Sequence, residues 1–233
     1  MKKIVLFFFI LPVAAAAQKN YPLLLKQYMQ EQVRAEGFSG SVLVMRHNVV
    51  LLKASYGLAD KEWNIPNSPD AKCRIGSLSK QFTAACILKL IEKGKLSLDD
   101  RLYKFIPDFP KGDSVTIHML LNHTSGIPVF TYMPEFQRWL RLPWPEDSMI
   151  ALLKSKPYEF TPGARFRYNN SGYYLLAYIV EKVSGQTFAA FLRQNFLDKL
   201  GMKGTGVDEY DSILPKRARG YKTEMEGPCI ATL

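Results

Sequence analysis

The sequence is poor in the residues that bind metals, with three cysteines and three histidines in 233 positions. No Cys-x-x-Cys occurs, and His47, His118 and His123 are not at metal-ligand spacing. No metal is expected, and no cofactor is called for. Internal repeats and low-complexity tracts are also missing, which speaks against a repeat array and against a disordered chain. Basic residues exceed acidic ones, 31 to 21, for a formal charge of +10. They are scattered, and only Lys216-Arg217-Ala218-Arg219 is dense. With no nucleic-acid motif beside them they read as solvated surface, so nucleic acid is not an expected partner.

Only one end of the chain looks like an export signal. Lys2-Lys3, then Ile4 to Pro12, then Ala14 to Ala17 before Gln18 give a basic head, an apolar centre and a small-residue cleavage site. The apolar segment is too short to span a bilayer comfortably, and no cysteine stands at the cleavage point to carry a lipid. The expectation is a signal peptide over residues 1–17 and one domain over 18–233. The protein would be exported, periplasmic or secreted, without stable membrane insertion after cleavage. Loss of Lys2 and Lys3 takes the formal charge from +10 to +8. Cys73, Cys86 and Cys229 are an odd set for an exported chain and cannot all pair internally. Cys73 and Cys86 flank one segment and read either as neighbours or as small buried hydrophobes.

What is present is the composition of a folded protein: 47% hydrophobic, 12% aromatic and 22% charged residues, enough for a substantial core. Residues 21–35 read as an amphipathic helix broken at Gly37-Phe38-Ser39-Gly40. Two β-rich runs follow, Ser41 to Met45 and Val49 to Ser55, and meet at His47-Asn48 in a hairpin. The apolar run Phe82 to Ile91 reads as a buried helix stopped at Gly94. Residues 95–114 read as irregular, Ile117 to Asn122 as a short helix, and 129–147 as a long loop. That loop is rich in large side chains (Phe130, Tyr132, Phe136, Trp139, Trp144) that read mostly as core. After the turn at Thr161-Pro162-Gly163-Ala164, Asn170 or Ser171 is expected to cap a helix running to about Val183. Thr187 opens another, ending near Leu200-Gly201. Helices plus a hairpin without βαβ alternation indicate an α+β fold.

The candidate chemistry lies in Arg74-Ile75-Gly76-Ser77-Leu78-Ser79-Lys80. Ser77 is expected in the first turn of the Phe82–Ile91 helix, where backbone N–H groups lack intrahelical acceptors. Lys80, three residues on, shares its face. A serine hydroxyl is a weak nucleophile until a base takes its proton, and a partly desolvated lysine is one such base. The tetrad alone equally describes a capping serine followed by a solvated lysine.

The order of four segments separates these readings. Phe38-Ser39-Gly40-Ser41, Ile75 to Thr83, Leu120-Leu121-Asn122-His123-Thr124-Ser125-Gly126 and Tyr168-Asn169-Asn170-Ser171-Gly172-Tyr173 follow one another. From about residue 38 to residue 220 the chain resembles the serine β-lactamase and penicillin-binding protein superfamily, in its class C-like, DD-peptidase and esterase branch. The chain holds one Ser-x-x-Lys and one Tyr-x-Asn, both where that family has them. The resemblance implies a helical region beside an antiparallel sheet and assigns roles. Ser77 would carry a covalent acyl group, and Lys80 would accept its proton. Tyr168 would relay a proton to the leaving group, its phenol pKa lowered by Lys80. Asn170 would bind the substrate amide and help hold Lys80, and the Ser77 N–H would serve an oxyanion hole. By its family position His123 would be structural, tying down the turn at Ser125-Gly126, rather than a member of a Ser-His-Asp triad.

One element of the family pattern is not matched. The third motif, Lys-Thr-Gly, Lys-Ser-Gly or His-x-Gly on a strand, is not found, since Lys222-Thr223-Glu224 lacks the glycine and comes too early. The chain as given is therefore expected to be C-terminally truncated. The last sheet strands and the second oxyanion donor would be missing, turnover poor and the 41–55 hairpin left with an open edge. The expected function is serine acyl-transfer hydrolysis of peptidoglycan-type peptides, β-lactams or small esters. The alternative is a catalytically impaired relative that at most binds cell-envelope components. The expected partner is a small-molecule or peptide substrate, and the oligomeric state is left open.

Overall fold

Asn20 sets the first described turn: its Oδ1 accepts the Leu23 N–H at 3.3 Å and so caps α1, Tyr21–Glu36. The computed structural model describes residues 20–139, 146–209, 212–224 and 227–230, with side chains at 20–136, 148–209 and 212–221. The expected export signal and Trp144 of the aromatic loop lie outside them, as do the side chains of Trp139 and Cys229. No helix among the described residues is long and apolar enough to cross a membrane. The chain divides at Ala71/Lys72 into two compact units.

In the first unit α1 ends at Gly37 in the left-handed conformation, φ 63°. Strands β1, Gly40–Arg46, and β2, Val49–Tyr56, pair antiparallel, with a register shift between Val44 and Met45. His47 and Asn48 both have positive φ, 48° and 62°, as a tight hairpin turn demands. Half-buried Val42 and Val44 alternate with exposed Leu43 and Met45 along β1. A short pair, β3 (Leu58–Asp60) with β4 (Ile65–Pro66), completes this unit.

The second unit is mainly helical. Helix α2, Lys80–Glu92, buries Thr83, Cys86, Ile87 and Leu90, one stripe at i, i+3, i+4 and i+7. Helix α6, Asn170–Ser184, presents Leu175, Leu176, Ile179 and Val180 to the same core. Between them in sequence come α3 (Ile117–Leu121, capped by Thr116), α4 (Pro134–Trp139) and α5 (Glu146–Lys154). The long loop expected over 129–147 is thus largely structured. Phe130 to Tyr132 form a 3-10 turn, and Pro134 opens α4, where its missing N–H has no cost. Met149, Ile150, Leu152 and Leu153 give α5 a buried stripe. Phe130 and Phe136 pack on the core, whereas Tyr132 is exposed.

Residues 95–114 are irregular, as expected, apart from a 3-10 turn over Leu102–Lys104, yet Leu96, Leu102, Ile106 and Phe109 are buried. The last expected helix begins at its Thr187 cap but stays α-helical only through α7, Phe188–Leu192, before a π turn over Arg193–Leu197. Strands β5 (Tyr221–Glu224) and β6 (Gly227–Ile230) pair antiparallel, a hairpin not anticipated from the sequence. The architecture is α+β, with antiparallel two-stranded sheets and a helical core.

Two segments of the helical unit run side by side and carry the site. The N–H groups of Glu159, Gly163 and Arg167 donate to the carbonyls of Gly126, Thr124 and His123 at 2.8–2.9 Å. Gly126 has φ +72°, and a Cβ there would lie 2.2 Å from the Phe160 carbonyl oxygen. Gly126→Ala is therefore expected to lower stability by more than ~1 kcal/mol, since both conformation and contact oppose a side chain. The denaturant midpoint measures this; an unchanged midpoint would show that the two segments separate without cost.

Candidate active site

Gly76, at φ +53°, turns the chain into a 3-10 helix, Gly76–Ser79, which leads directly into α2. Ser77 therefore precedes the α-helix rather than sitting in its first turn, which corrects the expectation from sequence. The tighter turn accounts for the difference: the Leu78 N–H donates to Ile75 O and the Lys80 N–H to Ser77 O. The consequence for the hydroxyl is small. Lys80 Nζ still lies 3.4 Å from Ser77 Oγ.

The other half of the site is the start of α6. Here too the expectation needs correcting, because the cap is Asn169, not Asn170 or Ser171. Asn169 has extended backbone and its Oδ1 accepts the Gly172 N–H at 3.0 Å. Its Nδ2 donates to Ile127 O, and its own N–H donates to His123 Nδ1 at 3.1 Å. With capping done by Asn169, Asn170 is released for another task. Its Oδ1 accepts from Lys80 Nζ at 2.7 Å, while its Nδ2 donates to Thr131 Oγ1 at 3.2 Å.

Tyr168, one residue before the cap, donates its OH to Ser77 Oγ at 2.7 Å. Lys80 Nζ lies 4.7 Å from the Tyr168 ring centroid and 5.5 Å from that of Tyr173. An ammonium over aromatic faces is attracted by their quadrupoles. Thus Ser77, Lys80, Tyr168 and Asn170, far apart in sequence, meet in one cluster. Ser77 is exposed and Lys80 half-buried.

The electrostatics follow from this packing. Burial pushes the Tyr168 phenol up, but hydrogen bonding with Lys80 and Ser77, together with the Lys80 charge, outweighs burial and holds it below the ordinary tyrosine value. His123 is held below the usual histidine range by burial and then by the Lys80 charge. Its ring contacts those of Tyr168 and Tyr173, at centroid distances of 4.7 and 5.1 Å. It accepts the Asn169 amide N–H on Nδ1, and among the described residues no hydrogen bond joins it to Ser77. Cys86 is wholly buried in α2, and burial pushes its thiol up to about 12. Cys73 is exposed, and both are free thiols.

Three contributors had no site role assigned from sequence. Tyr173 follows Asn170 by three residues, so helical spacing alone puts it on the same face. Ser171 is fully buried, with Oγ donating to Pro128 O at 2.6 Å and accepting the Phe130 N–H at 2.9 Å. Thr131 has no sequence signal, because only the 3-10 turn brings it to Asn170.

Fold and site together define an α+β protein in which the starts of two helices bring a serine, a lysine and a tyrosine into contact. Residues 24–232 match the family model described as Beta-lactamase, and the chain belongs to that family, that of serine β-lactamases and penicillin-binding proteins. It is 34% identical over 178 residues to penicillin-binding protein 4* of Bacillus subtilis, covering 73% of this chain and 38% of that protein. A penicillin-binding protein from Bacillus halodurans superposes with a TM-score of 0.76 at 33% identity, over 87% of this chain and 64% of that one. The D-amino acid amidase from Ochrobactrum anthropi SV3, solved with L-phenylalanine amide, gives 0.74 at 28% identity, over 86% and 57%. The chain spans about half the length or less of the curated relatives it matches.

The proximity of Lys80 makes a prediction about Tyr168. Lys80→Met removes both a hydrogen-bond partner and a positive charge, so the Tyr168 pKa is expected to rise toward its ordinary value. Tyrosinate absorbance, taken as the difference between the protein and its Tyr168→Phe variant, reads this directly. An unmoved titration would mean that Lys80 does not act on the phenol.

Proposed function

We propose that the chain is a serine acyl-transfer hydrolase that forms a covalent ester on Ser77. The observation that carries this reading is the convergence of Lys80 Nζ and Tyr168 OH on one serine oxygen, at 3.4 and 2.7 Å. Both groups donate to Oγ in this structure, and either can take its proton once it has lost its own. In acylation a bond forms between Ser77 Oγ and the substrate carbonyl carbon, and the bond to the leaving nitrogen or oxygen breaks. The Oγ proton passes to the Tyr168–Lys80 pair in the state in which that pair has already lost one proton, and Tyr168, the nearer group, delivers it to the leaving atom. The lowered phenol pKa suits this part, since it makes the phenolate easier to reach. In deacylation water adds to the ester carbon and gives a proton back through the same pair to Ser77 Oγ, releasing a carboxylic acid.

Asn170 holds Lys80 through Oδ1, and its Nδ2 edge is the one suited to a substrate amide carbonyl. The Ser77 N–H lies in the first turn of the 3-10 helix, where amides have no acceptor within the helix, and serves as one oxyanion donor. The substrate class we assign is acyl compounds with a carbonyl open to attack: peptidoglycan-type peptides, β-lactams or small esters. Membership of the beta-lactamase family and the likeness to penicillin-binding proteins and a D-amino acid amidase support it.

Steady-state hydrolysis of nitrocefin and of p-nitrophenyl esters tests the reading. Ser77→Ala is expected to abolish turnover, and Lys80→Ala to slow it by ~10²–10⁴-fold, the usual worth of general-base assistance. Turnover that survives Ser77→Ala would overturn the proposal, and full turnover in Lys80→Ala would assign the base elsewhere.

A further inference from the structure

We infer that Thr131 is a positioning residue that fixes the Asn170 amide for acyl transfer, and this rests on the function proposed for Ser77. An ammonium offers only donors, so the Asn170 end that faces Lys80 must be Oδ1, 2.7 Å away. The amide plane then needs a second point of attachment, or it turns about the Lys80 bond. Thr131 Oγ1 supplies that point, accepting from Nδ2 at 3.2 Å. Two anchored ends hold the side chain in one plane, with the second Nδ2 hydrogen left to a substrate carbonyl.

Thr131 is itself held by the helix it serves. It lies in the 3-10 turn Phe130–Tyr132. The Phe130 N–H donates to Ser171 Oγ at 2.9 Å, and the same hydroxyl donates to Pro128 O at 2.6 Å. Ser171 is fully buried and neighbours Asn170 on α6. The connections close a ring from Asn170 to Thr131, along the turn to Phe130, and back through Ser171 to α6. Asn169 adds a further link, from its Nδ2 to Ile127 O. Three consecutive residues, Asn169, Asn170 and Ser171, therefore fasten residues 127–131 to the start of α6, and Thr131 is the member that touches the functional amide. The lever is the turn, since a shift of Phe130 moves Thr131 relative to Lys80.

The experiment uses the whole chain and the second-order rate of acylation by a fluorophosphonate probe at Ser77. Thr131→Val keeps the shape and removes the acceptor, and is expected to slow acylation about 3- to 10-fold, the worth of one hydrogen bond. Thr131→Ser retains the hydroxyl and should restore the rate to within about twofold. In an Asn170→Ala background, Thr131→Val should have no further effect, because its action passes through the amide. A purely structural role would slow both backgrounds alike and would not be rescued by serine; either result overturns the inference. Equal rates in wild type and Thr131→Val would overturn it as well. Labelling that survives Ser77→Ala, or no labelling at all, counts against the proposed function instead. In that case NMR of the Asn170 side-chain amide decides on Thr131 alone. Contacts from Nδ2 hydrogens to the Thr131 methyl, lost order in Thr131→Val and recovered order in Thr131→Ser are expected, and their absence overturns the inference.

Discussion

One ammonium group joins the two halves of the site. Lys80 Nζ, at the first residue of α2, is hydrogen-bonded to Asn170 Oδ1 at the first residue of α6, and faces Ser77 Oγ and two tyrosine rings. A hydrogen bond to a charged group is worth roughly 1.5–3 kcal/mol where it is well formed. A single contact of that size would not hold two helices. Their apolar stripes do so: Cys86, Ile87 and Leu90 of α2 share a core with Leu175, Leu176 and Ile179 of α6. Gly172 tightens the arrangement, since a Cβ there would stand 3.3 Å from the Leu120 carbonyl of α3. Hydrophobic packing fixes the distance between the helix starts, and Lys80 spans it.

The residues Tyr168 to Ser171 divide the labour at the start of α6. Each side chain at a helix start points in a different direction, so four neighbours reach four partners. Tyr168 reaches Ser77, Asn169 caps the helix and grips Ile127, Asn170 takes Lys80, and Ser171 holds the 128–130 turn. His123 belongs to the same construction. At φ 64° it turns the chain, accepts the Asn169 amide, and places its ring against Tyr168 and Tyr173. Its place is beside the phenol rather than on the serine. The site is thus a set of side chains aimed by backbone geometry, with little left to flexible linkers.

Much of this was legible in the residues. The His47-Asn48 hairpin, the α2 stripe and the glycine stops at Gly37 and Gly185 rest on local rules of turn and helix chemistry, and such rules act within a few residues. The quartet Ser77, Lys80, Tyr168 and Asn170 was named from the order of motifs, and the fold brings the four together. What was not legible depends on competition between neighbours. Asn169, Asn170 and Ser171 are all good caps, and tertiary demand chose Asn169 by giving Lys80 to its neighbour. Helices α4 and α5 were hidden by prolines that mark a helix start as readily as a loop. Thr131 could not be found at all, because its partner is reached only through a turn whose geometry Ser171 sets.

The chain belongs to the beta-lactamase family, and the relatives named include penicillin-binding proteins and an amidase. Covalent chemistry at Ser77 is tested most directly by peptide mapping after reaction of the whole chain with a labelled penicillin or fluorophosphonate. Trypsin cuts after Arg74 and Lys80 and so releases Ile75-Gly76-Ser77-Leu78-Ser79-Lys80, in which fragmentation separates the two serines. The account predicts the added mass on Ser77. Mass on Ser79, on Ser125 or on a tyrosine, with Ser77 unmodified, would contradict it.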